Sequence, residues 1–271
     1  METIDIQQTH NLLFDMAKEF HQICVKHDIP YYMLGGTMLG AIRHKGFIPW
    51  DDDMDFGIPR KHYKRFCEVA TQELSSRYKM LTVDNSAYAV LGIGKLSDSN
   101  TWLKEIYSVK TEERLGVNID VFPLDYTDSR IDLLSVNMRA RMLFKFQKLL
   151  FMNSENRSFV KRILAKACQF IFRLSPATIP HYIDRMMLGR DINPTMLANI
   201  FGAWAMKETV SLEIMGTPSL YNFEDTEFYG PQNADAYLKQ LYGNYMQLPP
   251  EDKRHIHTTE VYMLDSAICN P

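Results

Sequence analysis

The stretch YYMLGGTMLGAIRHKGFIPWDDDMDFGIPR, residues 31–60, decides how the rest of the chain is read. It opens on an apolar strand, Tyr31–Leu34, that runs into Gly35-Gly36-Thr37 and then a short helix, Thr37–His44. Glycine at such a turn lets the backbone approach a ligand closely. Amides at the start of the helix face that ligand and favour phosphate, which makes Gly35, Gly36 and Thr37 candidate phosphate binders. Gly36 and Gly40 share a helix face, which predicts that the helix lies close against a sheet, and Pro49 bars it from running on. Next comes Asp51-Asp52-Asp53-Met54-Asp55-Phe56. Carboxylates this dense repel one another unless a cation neutralises them. On a strand over Asp53–Ile58, Asp53 and Asp55 point to one side while Met54 and Phe56 enter the core. Two carboxylates about 6–7 Å apart along one face can grip a divalent cation, and magnesium suits one or two carboxylates plus phosphate oxygens.

Outward from this segment, GVNIDVFPLD places Asp120 between the apolar Ile119 and Val121. A charge inside an apolar strand is costly unless paired or metal-bound, so Asp120 is the natural third member of the acidic cluster. Asp125, just past Pro123, is expected to cap or bound the following loop. Further strands are predicted at Lys79–Val83, Val90–Leu96 and Val117–Phe122, and helices at residues 5–27 and Arg60–Ser75. The first helix carries Leu13, Met16, Phe20, Ile23 and Cys24 at helical spacing. This βαβ-like succession indicates a mixed α/β core.

Residues 130–190 read as helical throughout, with Ser175-Pro176 closing the section. Met142, Phe146, Leu149 and Leu150 are expected on one face, and Val160, Ile163, Leu164, Ala167 and Ile171 repeat the arrangement. From about Asn193 short strands mix with a helix at Asn233–Tyr242, before the tail LPPEDKRHIH.

Hydrophobic residues make up 46% and charged residues 23%, the balance of a globular chain able to bury a core without staples. Cys24, Cys67, Cys168 and Cys269 form neither a CxxC pair nor zinc spacing, so free thiols in a reducing compartment are expected. No secretory signal and no membrane-length apolar run is visible, which predicts a cytoplasmic protein. The net charge of -3 hides an asymmetry. Residues 130–190 hold 12 Lys/Arg against 3 Asp/Glu, leaving the rest of the chain strongly acidic. One surface is therefore expected to meet something anionic.

The Gly-Gly-Thr turn, the DxD strand and the lone Asp on a later strand resemble the DNA polymerase β-like nucleotidyltransferase superfold. The fuller string GGTMLGAIRHKGFIPWDDDMDFGIPR resembles the LicD family motif almost residue for residue, and IDVFPLD and YGNYMQLPPEDKR are similar to that family as well. The likeness covers roughly residues 30–125 and 220–255. It implies an α/β (α+β) fold with a mixed-sheet nucleotidyltransferase core and a mainly helical insertion. On that reading residues 1–128 form the catalytic core, 129–192 a basic helical insertion and 193–271 a part packing back on the core. The resemblance also implies transfer of phosphocholine, or a related phospho-alcohol, from a CDP-activated donor to a glycan of lipopolysaccharide, teichoic acid or capsule. Related fukutin-like proteins transfer ribitol phosphate. Carried over, Asp53, Asp55 and Asp120 hold Mg2+ (or Mn2+), and Asp120 can take the acceptor's proton.

Cations should accompany the carboxylates. Arg43 and Lys95 are candidates for phosphate, against ordinary surface pairing. His44, Asp52, Lys253, Arg254 and His255 are secondary candidates. GIGKLS fails as a P-loop because Ala89 and Leu96 stand where Gly and Ser/Thr are needed. The acidic run fails as an EF-hand, with Phe56 and His62 at the Gly and Glu positions. A DxD glycosyltransferase using a nucleotide sugar, or a non-catalytic nucleotide-binding protein, are the alternatives. His10, His21, His27, His62 and His181 are expected to be surface or satisfied core residues, and the aromatics around Tyr221–Tyr229 to be packing. The basic helical stretch is expected to be a solvated face, a groove for an anionic glycan, or a peripheral contact with a membrane bearing a lipid-linked acceptor. Its charges come without interleaved aromatics, which argues against nucleic acid.

Overall fold

The structure, a computed structural model, describes residues 2–89, 91–104, 113–128, 138–151, 159–171, 173–254 and 260–264. In chain order these form β1 (Glu2–Thr3), α1 (Ile6–Lys26), β2 (Tyr32–Met33), α2 (Gly35–Arg43), β3 (Asp55–Pro59), α3 (Arg60–Glu73), β4 (Tyr78–Leu81), β5 (Gly94–Asp98), β6 (Thr101–Lys104) and β7 (Asn118–Thr127). Then follow α4 (Met138–Phe151), α5 (Phe159–Ile171), α6 (Thr178–Leu188), β8 (Met196–Ala198), β9 (Thr209–Ser211), α7 (Leu212–Met215), β10 (Ser219–Phe223), β11 (Thr226–Gly230), α8 (Ala234–Tyr242) and β12 (Glu260–Met263). The mixed α/β architecture is as expected.

The principal sheet runs β2-β3-β7-β5-β4, with β8 joining β7 and β9 joining β8. Only β3 and β7 pair in parallel among these strands; the other pairs are antiparallel. One face of the sheet is covered by α1. Asp5 starts this helix with a capping box: its carboxylate accepts the Gln8 amide at 2.8 Å, and Gln8 Oε1 accepts the Asp5 amide at 2.9 Å. Leu13, Met16, Ala17 and Phe20 are fully buried along its inner stripe. Phe20 meets Phe56 of β3 at 4.5 Å and Phe66 of α3 at 5.1 Å between ring centroids.

Strand β7 is longer than its sequence suggests. Its first half lies between β3 and β5, and its second half pairs with β8. Pro123 has no N–H to donate, and it falls between the last β5 partner, at Val121, and the first β8 partner, at Asp125. The missing donor thus sits where that edge of β7 changes neighbour, so no ladder hydrogen bond is lost.

Several expectations are corrected. Asp125 does not bound a loop; it is a buried strand residue, 2% exposed, in bidentate contact with Arg60 at 2.6 and 2.8 Å. Arg60 also pairs with Asp184 of α6 and lies over the Phe201 ring, which ties α3, β7 and α6 together. Ser175-Pro176 does not close the helical section. Ser175 and Thr178 bond to each other across a turn and α6 begins again beyond it, with Pro180 in its first turn, where a missing amide costs nothing. The strand expected at Val90–Leu96 starts at Gly94, after a turn with Gly92 at φ +77°. Gly36 and Gly40 do not face the sheet; a Cβ at Gly40 would stand 2.5 Å from the Gly46 carbonyl oxygen, and one at Gly36 2.6 Å from Asp51 Oδ2. Both glycines admit the 44–52 loop against the helix. The expected apolar face of α4 is split, with Leu150 buried but Met142, Phe146 and Leu149 exposed.

Among the described residues Cys24, Cys67 and Cys168 are free thiols, and Cys269 lies outside them. No described helix is long and apolar enough to cross a membrane. The aromatics of the β10–β11 hairpin are packing residues as expected, Phe223 and Phe228 being buried against Phe14.

Arg60 is 6% exposed, so removing it strands the Asp125 charge in the interior. Arg60→Ala should lower unfolding free energy by about 3–5 kcal/mol in urea titration. Asp184→Asn, at a carboxylate 41% exposed, should cost under about 1 kcal/mol.

Candidate active site

The acidic run reaches the sheet at the start of β3. Asp55 and Asp120 are register partners on the parallel strands β3 and β7, and Asp120 and Lys95 are partners on β7 and β5. Register partners project from the same face, about 4.8 Å apart at the backbone, so the three side chains form one row across the sheet. The Asp55 backbone is locked on both sides. Its N–H donates to Thr37 Oγ1 at 2.8 Å and its carbonyl accepts from Leu34 at 2.9 Å, while the neighbouring Met54 carbonyl accepts from Asp120 N–H at 2.9 Å. Met54 and Phe56 are fully buried, as expected.

β3 begins at Asp55 and not at Asp53, so Asp53 lies in the exposed approach to the strand. Its charge nevertheless reaches Asp55. Burial first, and then the negative charges of Asp53, Asp120 and Asp51, hold the Asp55 carboxyl well above the usual carboxylate range, with Lys95 opposing them. The Lys95 ammonium contacts Asp120 Oδ1 at 2.6 Å and Asn118 Oδ1 at 3.1 Å. Among the described residues no three His, Cys, Asp or Glu side chains form a ready-made ligand group. Asp55 and Asp120 are the oxygen donors in register, and Asp55 is the carboxylate with most to gain from a cation.

Helix α2 begins at Gly35, two residues before the sequence suggests. Gly35 adopts φ +47°, and a Cβ there would lie 3.8 Å from Asp55 Oδ2 and 3.5 Å from the Tyr242 hydroxyl. Its N–H donates to Tyr237 Oη at 3.1 Å. Thr37 is 5% exposed, and its hydroxyl oxygen is already used by Asp55.

At the other end of α2 a basic group assembles. Arg43 donates to the Tyr245 carbonyl at 2.9 Å, and its guanidinium feels the Tyr242, Arg254 and Asp51 charges, although burial lowers its pKa first. Arg254 lies 4.7 Å over the Trp50 ring, and His44 meets the same ring edge-on at 6.2 Å. Burial, then Arg43, lowers the His44 pKa. Asp52 is 8% exposed. Lys253 lies in a short turn, Glu251–Lys253, and His255 falls outside the described residues. The structure thus gathers Gly35, Gly36, Thr37, Asp55, Asp120 and Lys95 at one end of α2, and Arg43, His44 and Arg254 at the other.

Sequence reasoning missed Tyr237 and Tyr242. Both lie on the expected helix Asn233–Tyr242, and burial raises both hydroxyls well above the ordinary tyrosine value. Tyr242 is further raised by Tyr237, Asp55 and Asp51, and Trp204 packs edge-on against it at 5.5 Å. It stands in YGNYMQLPPEDKR, which was the available signal. His10 is a satisfied core residue that also serves the loop. It stacks on Phe47 at 4.2 Å, with Nε2 2.6 Å from the Asp51 carbonyl. The turn of the β10–β11 hairpin braces the same loop, Glu224 accepting from Phe47 N–H at 3.1 Å and donating to the Lys45 carbonyl at 2.7 Å.

A group whose pKa rises on folding binds more protons in the folded state between its ordinary and raised values. The stability contributed by Asp55 is therefore fully present below the ordinary carboxylate value and lost as pH rises through the raised one. Asp55→Asn should melt a few degrees above the parent at neutral pH in chelating buffer, with the gain narrowing as pH falls into the ordinary carboxylate range. Tyr237→Phe removes the acceptor of the Gly35 amide and should cost about 1–3 kcal/mol in urea titration.

A family model described as LicD/FKTN/FKRP, nucleotidyltransferase domain, matches residues 28–165. Over 270 residues the chain is 27% identical to the lipopolysaccharide cholinephosphotransferase LicD of Haemophilus influenzae, covering 97% of this chain and 100% of that protein. It is 35% identical over 80 residues to an uncharacterised protein of Rickettsia typhi, 30% of this chain and 25% of that one. With an uncharacterised protein of Rickettsia prowazekii it shares 36% identity over 69 residues, 26% of this chain and 24% of that one. The family match spans just over half of the chain and contains α2, the acidic run, Lys95 and Asp120, so the protein belongs to the LicD/FKTN/FKRP family.

Proposed function

We propose that this chain is a magnesium-dependent phosphotransferase that moves phosphocholine, or a related phospho-alcohol, from a CDP-linked donor to a hydroxyl of a cell-surface glycan. Family membership and the full-length likeness to a lipopolysaccharide cholinephosphotransferase support a transferase of phosphorus-containing groups. The observation that carries the reading is the in-register pair Asp55 and Asp120 beside the glycine start of α2. The mixed sheet, with its acids on the parallel strands β3 and β7, is read as the nucleotidyltransferase core.

Asp55 and Asp120, with Asp53 beside them, would hold Mg2+ or Mn2+. The donor set fits, since magnesium takes one or two carboxylates plus phosphate oxygens, and burial together with its anionic neighbours holds the Asp55 carboxyl protonation-prone. When bound there, the ion neutralises the donor's phosphates and the departing CMP. The remaining tasks fall to the chain itself. Lys95 steadies Asp120 and offsets its charge. Arg43 and Arg254 attract the anionic donor, and Trp50 beneath Arg254 offers a flat apolar surface beside it. The acceptor oxygen bonds to the phosphorus bearing the alcohol, the bond from that phosphorus to the CMP oxygen breaks, and Asp120 takes the hydroxyl proton.

The test is incubation with CDP-choline, CDP-ribitol, CDP-glycerol or UDP-sugars, with Mg2+ and lipopolysaccharide or teichoic acid acceptors. CMP release that chelator abolishes is expected. Asp53→Asn, Asp55→Asn and Asp120→Asn should each lower turnover at least about 100-fold while circular dichroism stays unchanged. Full turnover in Asp55→Asn rejects the assignment, UDP release points to a glycosyltransferase, and donor binding without turnover points to a non-catalytic protein.

A further inference from the structure

Helix α4 turns an apolar stripe away from the protein. Met138, Met142, Phe146 and Leu149 recur at helical spacing, and all four are exposed, Met142 by 66%. The opposite face makes the buried contacts through Ala140, Gln147 and Leu150. Helix α5 ends in the same manner, with Phe170 86% and Ile171 69% exposed. The two helices are tied together by Gln169, which donates to the Leu150 carbonyl at 2.8 Å. Single exposed apolar residues are ordinary, but a stripe of them backed by a second helix is not.

The charged residues of the two helices have one sign. The α4 and α5 sequences contain seven Arg or Lys residues and no Asp or Glu. Arg139 and Lys145 are exposed and border the α4 stripe on its two sides. We propose that this face of α4 and α5 docks on an anionic bilayer surface, the apolar stripe entering the boundary of the acyl region and the flanking cations meeting lipid phosphates. A soluble anionic glycan would satisfy the cations but leave Phe170 and Met142 in water. A second copy of the chain would bring two faces of like charge together. No described helix is able to span a bilayer, so the contact is a surface one.

The segment from Phe201 to Glu208 joins the protein-facing side of α4 to the acidic site. Phe201 packs on Phe144 of α4 at 5.0 Å, Arg141 reaches the Gly202 carbonyl, and Trp204 lies against Tyr242.

The test is co-sedimentation of the full chain with phosphatidylcholine vesicles, with and without about one-third phosphatidylglycerol. Binding is expected only with the anionic lipid and should weaken at high salt. Lys145→Ala should lower the partition coefficient about fivefold. Met142→Ser and Phe170→Ser should each lower it about tenfold, with melting temperatures unchanged because both side chains are exposed. Absence of binding to anionic vesicles overturns the proposal, as does full binding by the Met142→Ser/Phe170→Ser double variant. So does a dimer in light scattering that this double variant dissolves, which would assign the face to a second copy. The assay reads no turnover, so its outcome is independent of the transferase reading.

Discussion

Two carboxylates held in register on neighbouring parallel strands constrain everything around them. Asp55 and Asp120 cannot separate, because Thr37, Leu34 and the Met54–Asp120 backbone bond fix the strands that carry them. Their mutual repulsion, reinforced by Asp51 and Asp53, is a standing cost in the folded protein. Structure elsewhere must supply the rigidity that keeps the pair together. The Phe20–Phe56–Phe66 cluster does so beneath the sheet, and the buried Arg60–Asp125 pair does so further along β7. Lys95 is a strand neighbour whose charge offsets the pair directly. Such an arrangement stores affinity for positive charge at one point of a chain whose net charge is nearly balanced.

The second organising element is the short helix α2. Its two ends differ in charge, because the chain presents acids at one and guanidinium groups at the other. Gly36 and Gly40 are what make this possible. Their lack of a side chain admits the loop that carries Trp50 and Asp51, and His10 and the β10–β11 hairpin hold that loop down. The loop is thus held by specific contacts, even though it has no regular structure of its own.

Much of this was legible in the chain. The position of Asp55 between the apolar Met54 and Phe56, and the isolated charge of Asp120 among apolar neighbours, are local patterns that determine the face of a strand. They led to the acidic row without knowledge of its partners. What escaped notice depended on long-range neighbours. Asp125 resembled a loop residue because its partner Arg60 lies 65 positions away and nothing nearby signals a buried ion pair. Tyr237 and Tyr242 passed without remark within the expected helix Asn233–Tyr242, since their closeness to Gly35 and Asp55 arises only when the end of the chain folds back. On α4 the apolar residues were identified correctly but assigned to a single face. Periodicity shows that a helix has an apolar stripe, while only tertiary packing shows which stripe is covered. The remaining secondary candidates, Lys253 and His255, belong to the tail, where local composition carries little positional information.

The chain leaves the principal sheet after β7 and returns at β8, and the two ends of this excursion are fastened to each other. Thr195 donates its amide to the Thr127 carbonyl at 2.9 Å and its hydroxyl to the Asp128 carbonyl at 2.7 Å. Everything between is a closed stem-loop in the topological sense, pinched at its base. Lengthening or exchanging such a loop changes its closure entropy only slowly and leaves the strands at its root in register. The excursion between β7 and β8 can therefore vary in length without disturbing the register of the strands at its root.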